Sequence, residues 1–112
     1  MNDFDKLINE LTQFRDERDW EQFHNSKDLA IGISIEAAEL NELFLWKTNE
    51  QIENVDKERI KEELADILCF CYLFAQKHQL SPIEIVREKI EKNRLKYPIE
   101  KAKGTSKKYN EL

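Results

Sequence analysis

The residues with the most chemistry in them are two pairs of carboxylates. Glu36 and Glu39 stand three apart, and Glu63 and Asp66 repeat that spacing after 23 intervening residues. On a helix, residues three apart share a face, so each pair presents two carboxylates together. Glu36 also interrupts an apolar stripe, with Gly32, Ile33 and Leu40 among its helical neighbours. A carboxylate on a buried face is costly unless something cationic meets it. If the two helices lie antiparallel, the pairs converge, and four converging carboxylates cannot all stay ionised without a cation. Hard oxygen donors of this kind suit Mg2+, with Mn2+ as a substitute, and leave positions open for water. No His or Cys stands at zinc-like spacing. Magnesium so held binds substrate phosphates, polarises phosphoryl oxygen and activates water. A single E-x-x-E carries little information, because glutamate pairs are common on solvated helix faces. Two pairs on consecutive helices, one of them breaking an apolar stripe, put metal chemistry beside that plain reading. Glu42 and Glu62 extend the acidic surface and are read as solvated.

A phosphate-binding site also needs cations. Lys89, Lys92, Asn93, Arg94 and Lys96 crowd the end of a later helix. Their plain reading is a solvated basic face that complements the helix C-terminus. Trp20, Phe23 and His24 sit among polar residues ahead of a helix start. Aromatic groups outside regular elements pack a helix corner or line a cleft, and a lone histidine does not decide between them.

Four helices are expected to position these groups. Phe4, Leu7, Ile8, Leu11 and Phe14 form a helical core stripe over Phe4 to Arg18. The second helix starts with Asn25 or Ser26 as cap, has Asp28 in its first turn, and runs to about Trp46 or Lys47. Gly32 inside it costs about 1 kcal/mol relative to Ala. It serves either close helix packing or room beside Glu36. Thr48 to Val55 is a polar connector. The third helix runs from a cap at Asp56 to about His78. Its half from Ile67 to Ala75 is apolar nearly all round, as in a bundle centre or an oligomer interface. Ser81-Pro82-Ile83-Glu84 starts the fourth helix, which Pro98 stops. Residues 98–112 read as an irregular basic tail, with Lys101, Lys103, Lys107 and Lys108 against Glu100 and Glu111. The expected architecture is all-α, a four-helix bundle in a single domain over 1–112.

Composition narrows the function. A net charge of −5 over 112 residues argues against a general nucleic-acid binder. No apolar run of about 20 residues is present to span a membrane. The N-terminus lacks a basic start followed by an apolar run, so no signal peptide is expected. Cys69 and Cys71 point about 200° apart on a helix and cannot pair with each other. They read as buried thiols of a reducing, cytoplasmic setting.

The motifs together resemble the MazG-like all-α nucleoside triphosphate pyrophosphohydrolases, most closely the dCTP pyrophosphatase branch. The resemblance runs from about residue 14 to 112. It rests on Glu36-x-x-Glu39 with Glu63-x-x-Asp66, on Arg18-Asp19-Trp20-Glu21-Gln22-Phe23-His24, and on Glu39 to Lys47. Lys89-x-x-x-Asn93-Arg94-x-x-Tyr97-Pro98 and Gly104-Thr105-Ser106-Lys107-Lys108-Tyr109 complete it. It implies a MazG-type fold and Mg2+-dependent cleavage between the α- and β-phosphates, with dCTP or a modified dCTP as substrate in nucleotide-pool house-cleaning. It implies assembly as a homotetramer built as a dimer of dimers. By position, Glu36, Glu39, Glu63 and Asp66 would hold Mg2+ and carry catalysis. Trp20, His24 and Trp46 would shape the base pocket, and Lys89, Asn93 and Arg94 would contact phosphate or sugar. Phe70 stands where relatives can carry Tyr, a loss of a hydroxyl that bears on base or sugar selection. The alternatives are dUTP or another nucleotide as substrate, or a non-catalytic helical oligomerisation module.

Overall fold

The computed structural model describes residues 1–112. Its long helices begin at side chains able to satisfy the donors that a helix N-terminus leaves free. Asn2 accepts from the Asp5 amide at 2.8 Å and starts α1 (Asp3–Glu17) just ahead of its apolar stripe. Asn25 accepts from the Asp28 amide at 2.8 Å at the head of α2 (Ser26–Glu42). α2 ends earlier than its apolar content suggests. The amides of Leu43, Phe44 and Leu45 turn to carbonyls three residues back, and Trp46 takes a φ of 62°. A left-handed residue cannot continue a right-handed helix.

The connector that reads as merely polar holds one helical turn, α3 (Asn49–Ile52), closed by a capping box between Thr48 and Gln51. Asp56 then caps α4 (Lys57–Lys77) through the Glu58 amide at 3.1 Å. Ser81 caps α5 (Pro82–Lys96) through the Glu84 amide at 3.3 Å, with Pro82 in the first turn. The tail is not wholly irregular: α6 (Ile99–Ala102) and a 3-10 turn at Tyr109–Glu111 interrupt it. No helix is long and apolar enough to cross a membrane.

The chain divides into two compact units, Met1–Gln79 and Leu80–Leu112. In the first, α2 and α4 pack antiparallel. Ser26 Oγ meets His78 Nε2 at 2.9 Å, Gly32 lies against Phe70, and Glu39 reaches Glu63. Each step forward along α2 is a step back along α4. A Cβ at Gly32 would stand 2.7 Å from Phe70 Cε1, inside carbon contact distance. The glycine therefore serves close packing, and the space it opens is filled by the Phe70 ring. α1 leans on α4 through the edge-on Phe4–Tyr72 pair at 5.4 Å and a bond from Arg15 to Gln76 at 3.2 Å.

The buried apolar set is small: Leu29, Leu43, Leu73 and Ala75, of which only Leu29 is fully covered. Ile31 and Ile35 of α2, and Leu64 and Leu68 of α4, stay exposed at helical four-residue spacing. In the second unit, Tyr109 folds back onto the end of α5. It packs edge-on to Tyr97 at 6.2 Å, with Lys96 Nζ 4.9 Å from its ring centre. Gly104, at φ 81°, makes the turn that permits this.

Candidate functional site

The antiparallel register delivers the carboxylates to one place. One oxygen each from Glu36, Glu39 and Glu63 lie within 4.8 Å of one another. Asp66 is on the next turn of α4, and its charge acts on both Glu36 and Glu63. Glu36 Oε2 and Glu63 Oε2 are buried and accept no hydrogen bond. No ion pair of the structure involves any of these four residues. Desolvation, then a hydrogen bond with Glu39, then the charges of Glu39, Asp66 and Glu63 push the Glu36 carboxyl up to about 7. Burial, then a hydrogen bond with Glu39, then the charges of Glu39 and Asp66 raise Glu63, where the Arg59 charge opposes them. Clustered hard oxygens, two of them unpartnered and none neutralised by a paired cation, fit a divalent hard cation.

Next to the carboxylates lies an apolar slot of about 450 Å³. Asp66 belongs to both: it neighbours the cluster and lines the slot. α4 supplies Cys69, Phe70 and Leu73 to the slot, and α1 supplies Leu11, Phe14 and Arg15. The connector after α1 supplies Trp20 and His24. That connector is folded back by its own backbone. Asp19 takes a φ of 54°, the Trp20 amide returns to the Arg15 carbonyl at 3.1 Å, and a 3-10 turn follows at Glu21–Phe23. The Trp20 ring then stands edge-on to Phe14 at 5.7 Å. His24 Nδ1 is buried without a partner. Burial first, then the Arg15 charge, hold the imidazole below its ordinary range, with Glu21 opposing. Such a slot has the size and lining of a small-molecule site.

The first unit therefore brings together Glu36, Glu39, Glu63, Asp66, Trp20, His24 and Phe70. Trp46 does not line the slot and is 91% exposed. Lys89, Asn93 and Arg94 are exposed on α5 of the second unit, where Lys89 and Asn93 share a face and Arg94 pairs with Glu91 at 3.4 Å. Sequence reasoning assigns Leu11 and Phe14 to the core, whereas the structure makes them slot wall. It passes over Arg15, whose signal is a cation directly after Phe14 and one turn from Leu11. Cys69 and Cys71 are free thiols. Burial pushes both up, and the Asp66 charge adds to this at Cys69.

A family model described as the MazG-like family matches residues 31–112. The chain belongs to the MazG-like family. The matched stretch contains all four carboxylates and the basic residues of α5, while Trp20 and His24 precede it. This MazG-like chain is 35% identical to dCTP pyrophosphatase 1 of Homo sapiens and 34% identical to that of Bos taurus. Each comparison runs over 105 residues and covers 89% of this chain and 62% of the relative. The chain thus spans 62% of the length of these curated relatives. Among solved structures, a pyrophosphatase from Archaeoglobus fulgidus superposes with a TM-score of 0.83 at 38% identity. That match covers 88% of this chain and 94% of the archaeal one.

Proposed function

We propose that this MazG-like chain is a nucleoside triphosphate pyrophosphohydrolase that converts dCTP or a modified dCTP to the monophosphate and pyrophosphate. The observation that carries the reading is the carboxylate cluster opening through Asp66 onto an apolar slot. A triphosphate needs the first and a nucleobase fits the second. The relatives named dCTP pyrophosphatase support the choice of base. Mg2+ is the cation that Glu36, Glu39, Glu63 and Asp66 would hold, and it would supply charge neutralisation for the phosphates and a lowered water pKa.

The chain's own residues supply the remaining functions. Trp20 and Phe70 offer ring faces and edges to a base, and the apolar slot wall excludes water. Water adds to the α-phosphorus, the α–β anhydride breaks and pyrophosphate leaves, with a cluster carboxylate within reach to take the water proton. Lys89, Asn93 and Arg94 are assigned to phosphate or sugar by their motif, and Trp46 to the base. Residues 1–112 act as one functional domain. Exposed apolar pairs on α2 and α4, beside so small a buried core, support self-association as a homotetramer. The free thiols agree with a reducing cytoplasm.

A panel of dCTP, dUTP and the other deoxynucleoside triphosphates, read for pyrophosphate with Mg2+ and with chelator, tests this. Preferred turnover of dCTP, lost in chelator, is expected. Preferred turnover of dUTP would correct the base assignment, and no pyrophosphate from any nucleotide would overturn the activity.

A further inference from the structure

Arg15 is the one arginine or lysine in the slot wall, and its side chain keeps only 14% exposure. Its Nε–H donates to Asp16 at 2.8 Å and an Nη1–H donates to Gln76 Oε1 at 3.2 Å. A guanidinium carries five N–H donors. The others have only Glu21 Oε2, which stands 3.7 Å from Nη2 and beyond hydrogen-bond distance. Arg15 lines both the apolar slot and a second, more polar cavity of about 300 Å³ that shares Arg15, His24 and Leu73 with it. The unpartnered His24 Nδ1 belongs to the same shared wall.

The position of Arg15 along the site separates it from the phosphate chemistry. It is tied to Gln76, ten residues along α4 from Asp66. Ten helical residues span about 15 Å. A triphosphate drawn to the carboxylate end leaves the Arg15 end to the base. A rigid planar donor fixed from two sides suits a carbonyl oxygen, and its fixing lowers the entropy lost on binding.

We propose that Arg15 is a specificity-determining residue whose guanidinium donates to a ring carbonyl oxygen of the nucleobase held in the slot. The proposal rests on the nucleotide reading for the nature of the ligand, and not on turnover. It is tested by calorimetry with Mg2+, using α,β-methylene dCTP and the corresponding triphosphate that lacks the base. Arg15→Met, which keeps the length and removes the donors, should weaken the dCTP analogue about 10- to 100-fold and leave the abasic ligand unchanged. Arg15→Lys should fall between. Gln76→Leu, which frees Arg15 without removing it, should lose less, and these two variants carry the test if Arg15→Met fails to fold. Unchanged affinity in folded Arg15→Met, or equal loss of both ligands, overturns the assignment. So does failure of the wild type to prefer the dCTP analogue over the abasic one. Base-dependent binding that depends on Arg15, in a wild type that does not hydrolyse dCTP, would overturn the activity and uphold Arg15.

Discussion

The carboxylate cluster lies between α2 and α4, the aromatic slot between α1 and α4, and the two are held by opposite physics. In the slot the surfaces attract: Phe70 seats against Gly32, and Trp20 stands edge-on to Phe14. At the cluster, three carboxylates face one another with two oxygens unpartnered. The slot forms without help, while the cluster is a repulsive arrangement imposed by helix packing. Slot substitutions should therefore be felt in stability and binding together. Cluster substitutions should abolish chemistry while leaving the metal-free fold as stable or more so.

The sharpest way to break that contrast is Asp66→Asn. It should lower Mg2+-dependent turnover by about 100-fold or more, with an unchanged helical circular dichroism spectrum. Wild-type turnover would remove Asp66 from the site. Phe70→Ala comes next, with a loss of about 3 kcal/mol in denaturant unfolding and a raised KM. A loss confined to KM would mean that the ring is not a packing element.

The pH dependence separates the two regions. Glu36 has a folded pKa of about 7 against an ordinary 4.5, so between those values the folded state binds more protons than the unfolded one. Its contribution is most favourable at low pH and is lost as pH rises through 7. His24, shifted downward, acts in the other direction below its ordinary 6.5. Glu36→Gln removes the first effect and keeps the second. In chelator, the variant's advantage in Tm over wild type should grow from about pH 5 to about pH 8. A constant difference would show that Glu36 does not titrate there.

Gly32→Ala should change stability by less than about 1 kcal/mol, because the gain in helix propensity offsets displacement of the Phe70 ring. Its effect should appear in KM, as the displaced ring crowds the slot. The smallest stability effect belongs to Trp46→Ala, within about 0.5 kcal/mol at so exposed a position. A several-fold rise in KM is expected there, and an unchanged KM would remove Trp46 from the base pocket.

Much of this was legible in the residues. The caps at Asn25, Asp56 and Ser81 announce themselves chemically, and the paired i, i+3 carboxylates need only an antiparallel register to meet. The end of α2 was not legible, because Leu43-Phe44-Leu45-Trp46 is apolar on every side and periodicity has no contrast to report. The slot was only half legible. Trp20 and His24 stand out by type, but Leu11 and Phe14 carry the same stripe whether they bury against a helix or face a cavity. Arg15 is not legible because its place in the wall is fixed by Gln76, 61 residues away in the chain. Gly32 offered two readings, and only the position of the Phe70 ring separates them.

The antiparallel register of α2 and α4 has a consequence for relatives of this chain. The 23 residues between the two carboxylate pairs include the connector that holds α3, and that connector supplies none of the clustered oxygens. The connector is therefore free to lengthen or shorten through evolution without dismantling the site. Gly32 and Phe70 are not, since their contact sets which turn of one helix faces which turn of the other. A lineage that exchanged the glycine for a bulky residue would have to shrink the ring in compensation. Correlated change at those two positions, rather than a fixed gap between the acids, is the mark to look for across distant homologues.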